Sequence, residues 1–156
     1  MEINGVPLHP LVVHAAVVFV PLAALAGAVY ALVPKWRSLL RHPTLAVAAA
    51  AALTTQLAGM TGENLAETAR ESSLLDDHEM WAGRLTFGVW VFAAVVAVAW
   101  WVLPHVSSLV GKDDKEARVG VLAMPVTILL PILAVVVMVL VYFTGDAGAQ
   151  AVWKTR

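Results

Sequence analysis

No cysteine occurs among the 156 residues, which excludes disulfides, thiolate metal ligands and covalent c-type haem attachment through a cysteine pair. Charge is scarce as well: Asp, Glu, Lys and Arg make up 13% of the chain and hydrophobic residues 60%, a balance foreign to a soluble domain. Lys and Arg are missing altogether before Lys35, so the first apolar stretch lacks the basic leader of a cleaved signal peptide and is expected to remain as a span. There is no G-x-S-x-G elbow, no phosphate-cradling glycine loop and no serine with a plausible neighbouring base, so nothing supports a hydrolase. The formal net charge of −1 and the lack of a basic stripe argue against a nucleic-acid partner.

Long apolar runs are what the sequence does have. Spanning hydrocarbon takes about 20 residues at about 1.5 Å each, and four stretches approach that length without an interior run of charge. They cover residues 11–34, 44–61, 81–103 and 121–144. The expected fold class is all-α: a polytopic membrane protein forming one four-transmembrane-helix bundle over residues 1–156. The second stretch is the shortest and is rich in alanine, Ala48 to Ala52 being one run, which suits close helix packing. Pro21, Pro125 and Pro131 fall inside spans, where kinks are expected.

Charge gives the bundle a direction. Lys35, Arg37, Arg41, Lys112, Lys115 and Arg118 fall in connections on one side, against Arg70, Arg84, Lys154 and Arg156 on the other. Lys/Arg-rich short loops stay inside, so both termini are expected outside, in a multi-pass protein of a bacterial plasma membrane. The acids mirror this, with Glu63, Glu67, Glu71, Asp76, Asp77, Glu79 and Asp146 on the outer side. Asp76 or Asp77 is expected to cap the third helix.

A short repeat stands out. Thr61-Gly62-Glu63 closes the second span and Thr144-Gly145-Asp146 the fourth, each followed by Ala and Glu or Gln three and four places beyond the acid. His9 precedes the first span and His78 the third. Two repeated helix pairs are the arrangement these motifs suggest, each entering through a histidine and leaving through a Thr-Gly-acid turn, about a two-fold axis along the membrane normal.

Several polar residues need partners. His14 lies about one turn inside the first span, where an ionisable side chain marks either a functional site or a neutral imidazole bonded to a carbonyl. His9, His14, Glu63, Glu67, His78 and Glu79 offer imidazole and oxygen ligands for a metal ion, with Asp146 nearby, although their spacing matches no established metal motif. Arg84 calls for an anion: Glu63 or Glu67 as an ion pair, or a haem propionate or quinone-type headgroup. His42 and His105 sit beside prolines at the inner rim and receive no role.

Leu8-His9-Pro10-Leu11-Val12-Val13-His14 with Pro21 beyond it, and Thr144-Gly145-x-x-Gly148-Ala149-x-x-Val152 at the close, resemble a bacterial family of four-helix membrane proteins whose domain has no assigned function. The resemblance covers essentially the whole chain. It implies that His9, Pro10, His14, His78, Thr144, Gly145 and Gly148 are recurrent positions, and it implies a redox neighbourhood, since some members are fused to Rieske-type or other redox modules.

The leading functional expectation is therefore a protein that binds haem b or a transition metal near the outer face, in a redox or electron-transfer context. For haem, His14 and His78 would serve as axial ligands and Arg84 would pair with a propionate. The alternatives are a non-catalytic accessory or assembly subunit of a larger membrane complex, and a small transporter or channel. The lipid bilayer is the expected surround, with a homo-oligomer, a membrane complex or redox proteins as partners. The sequence leaves open whether the protein is an enzyme.

Overall fold

The computed structural model describes residues 2–3, 6–66, 72–104 and 115–154. Glu67, Arg70, Glu71, His105, Lys112 and Arg156, all invoked above, lie outside the described residues. Two short strands, β1 (Glu2–Ile3) and β2 (Val6–Pro7), pair antiparallel ahead of the first helix. Four helices follow: α1 (Leu8–Leu32), α2 (Arg37–Ala66), α3 (Ser73–Val102) and α4 (Lys115–Trp153). Each is long and apolar enough to cross a membrane, so the chain is an all-helical bundle of four candidate spans.

Local chemistry sets the helix ends. Pro10 lies in the first turn of α1, where its missing N–H has no intrahelical partner to lose. Val33 precedes Pro34 and leaves the helical region, at φ −117° and ψ 83°, as the α conformation is disfavoured before a proline, which stops α1 at Leu32. A single 3-10 turn, Pro34–Trp36, then leads into α2. The cap of α3 is Ser72, whose hydroxyl accepts from the Leu75 N–H at 3.3 Å. Asp76 occupies the first turn instead of the cap, where its charge still favours the helix dipole.

Neither Thr-Gly-acid segment is a turn. α2 runs through Gly62 to Ala66 and α4 runs through Gly145 to Trp153. The Thr61 and Thr144 hydroxyls donate back to the carbonyls of Leu57 and Leu140, each at 2.8 Å, the local bond of a threonine inside a helix.

The helices form a ring: α1 packs on α2 and α4, and α3 packs on α2 and α4, so α1 and α3 stand on a diagonal. Small residues let the backbones approach. Ala48, Ala51 and Ala52 of α2 are buried, as are Ala16, Ala23, Ala24 and Ala31 of α1. A Cβ on Gly27 of α1 would lie 2.8 Å from Cζ of Phe92 on α3, so this glycine is what admits the Phe92 ring across the diagonal. Val20, Val89, Val96, Leu130 and Val137 fill the rest of the core.

Away from the termini, two arginines of α2 close the ends of both neighbouring helices. Arg37, buried, donates from Nε to the Tyr30 carbonyl at 3.2 Å and from Nη2 to the Ala31 carbonyl at 2.8 Å. Arg41 donates from Nε to the Trp100 carbonyl at 3.0 Å, and its guanidinium lies 4.2 Å from the Trp100 ring centre. The last carbonyls of a helix have no partner within it, and a cation there also meets the negative end of the helix dipole. Tyr30 is buried in the bundle as a core residue and donates its hydroxyl to the Ala99 carbonyl at 3.3 Å.

Replacing Arg37 by Met keeps the volume but strands two buried carbonyls, a loss of about 1–3 kcal/mol. The expected outcome is a lower thermal unfolding midpoint in detergent micelles, read by circular dichroism, with helix content at low temperature unchanged.

Candidate functional site

At the end of the bundle where α1 and α3 begin, two histidines meet. The rings of His9 and His78 stand edge to face with centroids 6.3 Å apart. Each is held in the same way. His9 donates from Nδ1 to the Ala58 carbonyl of α2 at 2.9 Å, and His78 donates from Nδ1 to the Thr144 carbonyl of α4 at 3.1 Å. A carbonyl only accepts, so the neutral imidazole carries its proton on Nδ1 in both cases and presents the lone pair on Nε2. The Thr61 hydroxyl oxygen adds a longer contact to His9 Nδ1 at 3.4 Å.

The seats of the two rings also match. A Cβ on Gly62 would lie 3.0 Å from His9 Cε1, and a Cβ on Gly148 would lie 3.0 Å from His78 Cε1. In each case the glycine stands one helical turn beyond the carbonyl that accepts from the ring, so ring, carbonyl and glycine form one repeated unit. The sequence pairs Gly62 with Gly145 through the Thr-Gly motif. The structure pairs it with Gly148, three residues further on, because a histidine ring needs a bare backbone beneath it and Gly145 has open space around its Cβ position.

The other residues proposed for the site stand elsewhere. His14 is five residues past His9, about 7.5 Å along α1 and on another face; it is exposed, and its Nδ1 donates to the Pro10 carbonyl of its own helix. The imidazole is therefore bonded to a carbonyl of its own helix and not to one of a neighbouring helix. Arg84 is exposed, with its guanidinium 4.8 Å from the Trp81 ring centre, and among the described residues it forms no ion pair. The opposing Phe143 ring stacks on Trp81 at 4.8 Å. Glu63 and Glu79 are exposed, Glu63 on the outward face of α2 that also carries Gln56 and Met60. Asp146 is exposed and accepts from Gln150 Nε2 at 2.7 Å. It borders a cavity of about 100 Å³ between α3 and α4, lined also by Leu74, Asp77, Trp81, Phe143 and Gln150.

Among the described residues no group of three or more His, Asp or Glu side chains converges as a metal-ion site. What converges is the pair His9 and His78. Of the two, only His78 stood among the expected axial ligands, with His14 as its companion. The reason for the exchange is rotation along α1: the step of five residues from His9 to His14 turns the second ring about 140° away from the first.

Replacing Gly62 by Leu drives a side chain into the His9 ring, whereas the same change at Gly145 meets nothing within 4 Å. Imidazole nitrogen resonances of the labelled protein are expected to move for Gly62→Leu and Gly148→Leu and to stay in place for Gly145→Leu.

No curated protein and no solved structure matches the chain. A family model described as a predicted membrane protein, DUF2231, matches residues 5–156. With almost the whole chain inside that match and four helices of membrane-spanning length and polarity, the chain belongs to this family of predicted membrane proteins.

Proposed function

We propose that the protein holds haem b between His9 and His78, near the outer face of the membrane, and serves in electron transfer. The observation that carries this reading is the pair of imidazoles, each with Nδ1 committed to a backbone carbonyl and Nε2 left as the ligating atom. A ring nitrogen anchored in this way is the usual support for a metal-bound histidine, because it fixes both tautomer and ring orientation. The ligand count favours haem over a bare ion. A zinc-like ion needs three or four protein ligands, whereas haem iron brings four nitrogens of its own and asks the protein for one or two axial groups. Two imidazoles are what the described residues bring together.

His9 and His78, the two rings brought together at this end of the bundle, would hold the haem iron, and the group would supply one-electron chemistry between its ferrous and ferric states. His14 has no part in this pair, and Arg84, exposed on the Trp81 ring, would be the cation for a propionate. The outer placement rests on the Lys/Arg-rich connections lying at the opposite end of the bundle.

The test is the absorption spectrum of the detergent-purified protein, as isolated and after addition of hemin. The expected result is a Soret band with sharp low-spin bands on reduction, lost in His9→Ala and in His78→Ala and kept in His14→Ala. A wild-type protein that shows no Soret shift with excess hemin would sink the proposal.

A further inference from the structure

We infer that α1–α2 and α3–α4 are two copies of one helix hairpin related by an internal two-fold axis, and that this axis makes His9 and His78 equal halves of a single site, each seated on its own glycine, for one axially held ligand per chain. The ligand half of this inference rests on the haem reading above; the two-fold half does not.

The relation follows from matching one helix of each hairpin to its counterpart. Placing His9 on His78 shifts α1 onto α3 by 69 positions. That shift carries the buried residues Ala16, Val20, Ala23, Gly27 and Tyr30 of α1 onto Leu85, Val89, Phe92, Val96 and Ala99, every one of them buried in α3, while the buried Ala24 and Ala31 fall on the half-buried Ala93 and Trp100. Placing Gly62 on Gly148 shifts α2 onto α4 by 86 positions. Thr44, Ala48 and Ala51 then fall on the buried Leu130, Ala134 and Val137, and the buried Ala52 falls on the exposed Met138. Helical periodicity alone would give similar spacings within each helix. It would not also carry the Ala58 carbonyl, which accepts from His9, onto the Thr144 carbonyl, which accepts from His78, once the two glycines are aligned.

The copies have diverged by exchanging volume across the axis. Where α3 carries Phe92 and Val96, α1 carries Ala23 and Gly27, and the Phe92 ring occupies the space above Gly27. The sum of the two sides is kept while each side alone has changed. The histidine end has not diverged in this way: ring, carbonyl and glycine are repeated in both hairpins. A ligand on the axis needs both copies of that unit, and a purely structural duplication has no reason to keep them alike when the core has drifted.

Two measurements on the full-length protein test this. In the first, the core layer is exchanged. Ala23→Phe with Gly27→Val crowds the diagonal, and Phe92→Ala with Val96→Gly empties it, so each pair alone is expected to lower the melting midpoint in detergent. All four together place the ring on the other side of the axis and are expected to recover more than half of the loss. A fourfold variant that melts as low as the two pairs summed would overturn the two-fold relation.

In the second, hemin is titrated into wild type, His9→Ala, His78→Ala, Gly62→Ala and Gly148→Ala. The expected stoichiometry is one hemin per chain, with both histidine variants losing the bis-imidazole spectrum and the two glycine variants weakening binding to a similar degree, within about a factor of three. Two hemins per chain, or one histidine variant that keeps the wild-type spectrum, would overturn the shared site. No binding by wild type would overturn both the haem reading and the single-ligand inference, leaving the core exchange to decide the two-fold relation by itself.

Discussion

Close approach of backbone to ring governs how these four helices meet. Three glycines stand where a Cβ would crowd a ring, Gly27 under Phe92, Gly62 under His9 and Gly148 under His78, and a fourth, Gly88, stands where it would meet Leu140. In hydrocarbon no hydrophobic force drives one helix onto another, so association depends on how well surfaces interlock and on polar groups finding partners. A bare stretch of backbone does both at once at the histidine end. It leaves room for the imidazole, and it lets the ring reach the carbonyl one turn earlier, at 2.9 Å for His9 and 3.1 Å for His78. The two histidines are thereby carried to the centre of the bundle end and do not point away from it.

The opposite end solves a different problem with different residues. Helix C-termini expose carbonyls that lipid cannot satisfy. Arg37 and Arg41, one turn apart on α2, serve α1 and α3 respectively, so one helix closes the ends of both neighbours. These arginines read in the sequence as loop charges that orient the protein. That reading and their capping role are compatible, since a guanidinium at a helix end near the membrane surface can lie over backbone and still contribute to the charge of that side. Between the two ends, Phe92, Val20, Val89, Leu130 and Val137 fill the core between the hairpins.

Much of the fold was legible because the bilayer permits few solutions. A chain with four apolar runs and so little charge can satisfy its backbone only as helices, and the helices α1 to α4 contain or nearly contain the four expected stretches. Their ends were less legible. α3 begins at Ser73, eight residues before the apolar run does, because Ser72 caps it and the polar turn carrying Asp76, Asp77 and His78 is helical. That α4 continues to Trp153 and α2 to Ala66 was not legible, because a Thr-Gly pair inside a helix reads like one at its end.

The sequence by itself determined the number of helices, their apolar character, the exclusion of thiol chemistry and the gathering of most acids toward one end. Each of these follows from composition and period, which need no knowledge of neighbours. Only the tertiary structure decided which histidines meet. Whether His9 or His14 faces His78 depends on the rotation of α1 about its axis, and that rotation is set by Ala16, Val20, Ala23 and Gly27 packing against α2, α3 and α4. The same holds for the glycines: Gly62, Gly145 and Gly148 look alike along the chain, and two of them become seats because a ring from another helix lies above them while the third faces open space.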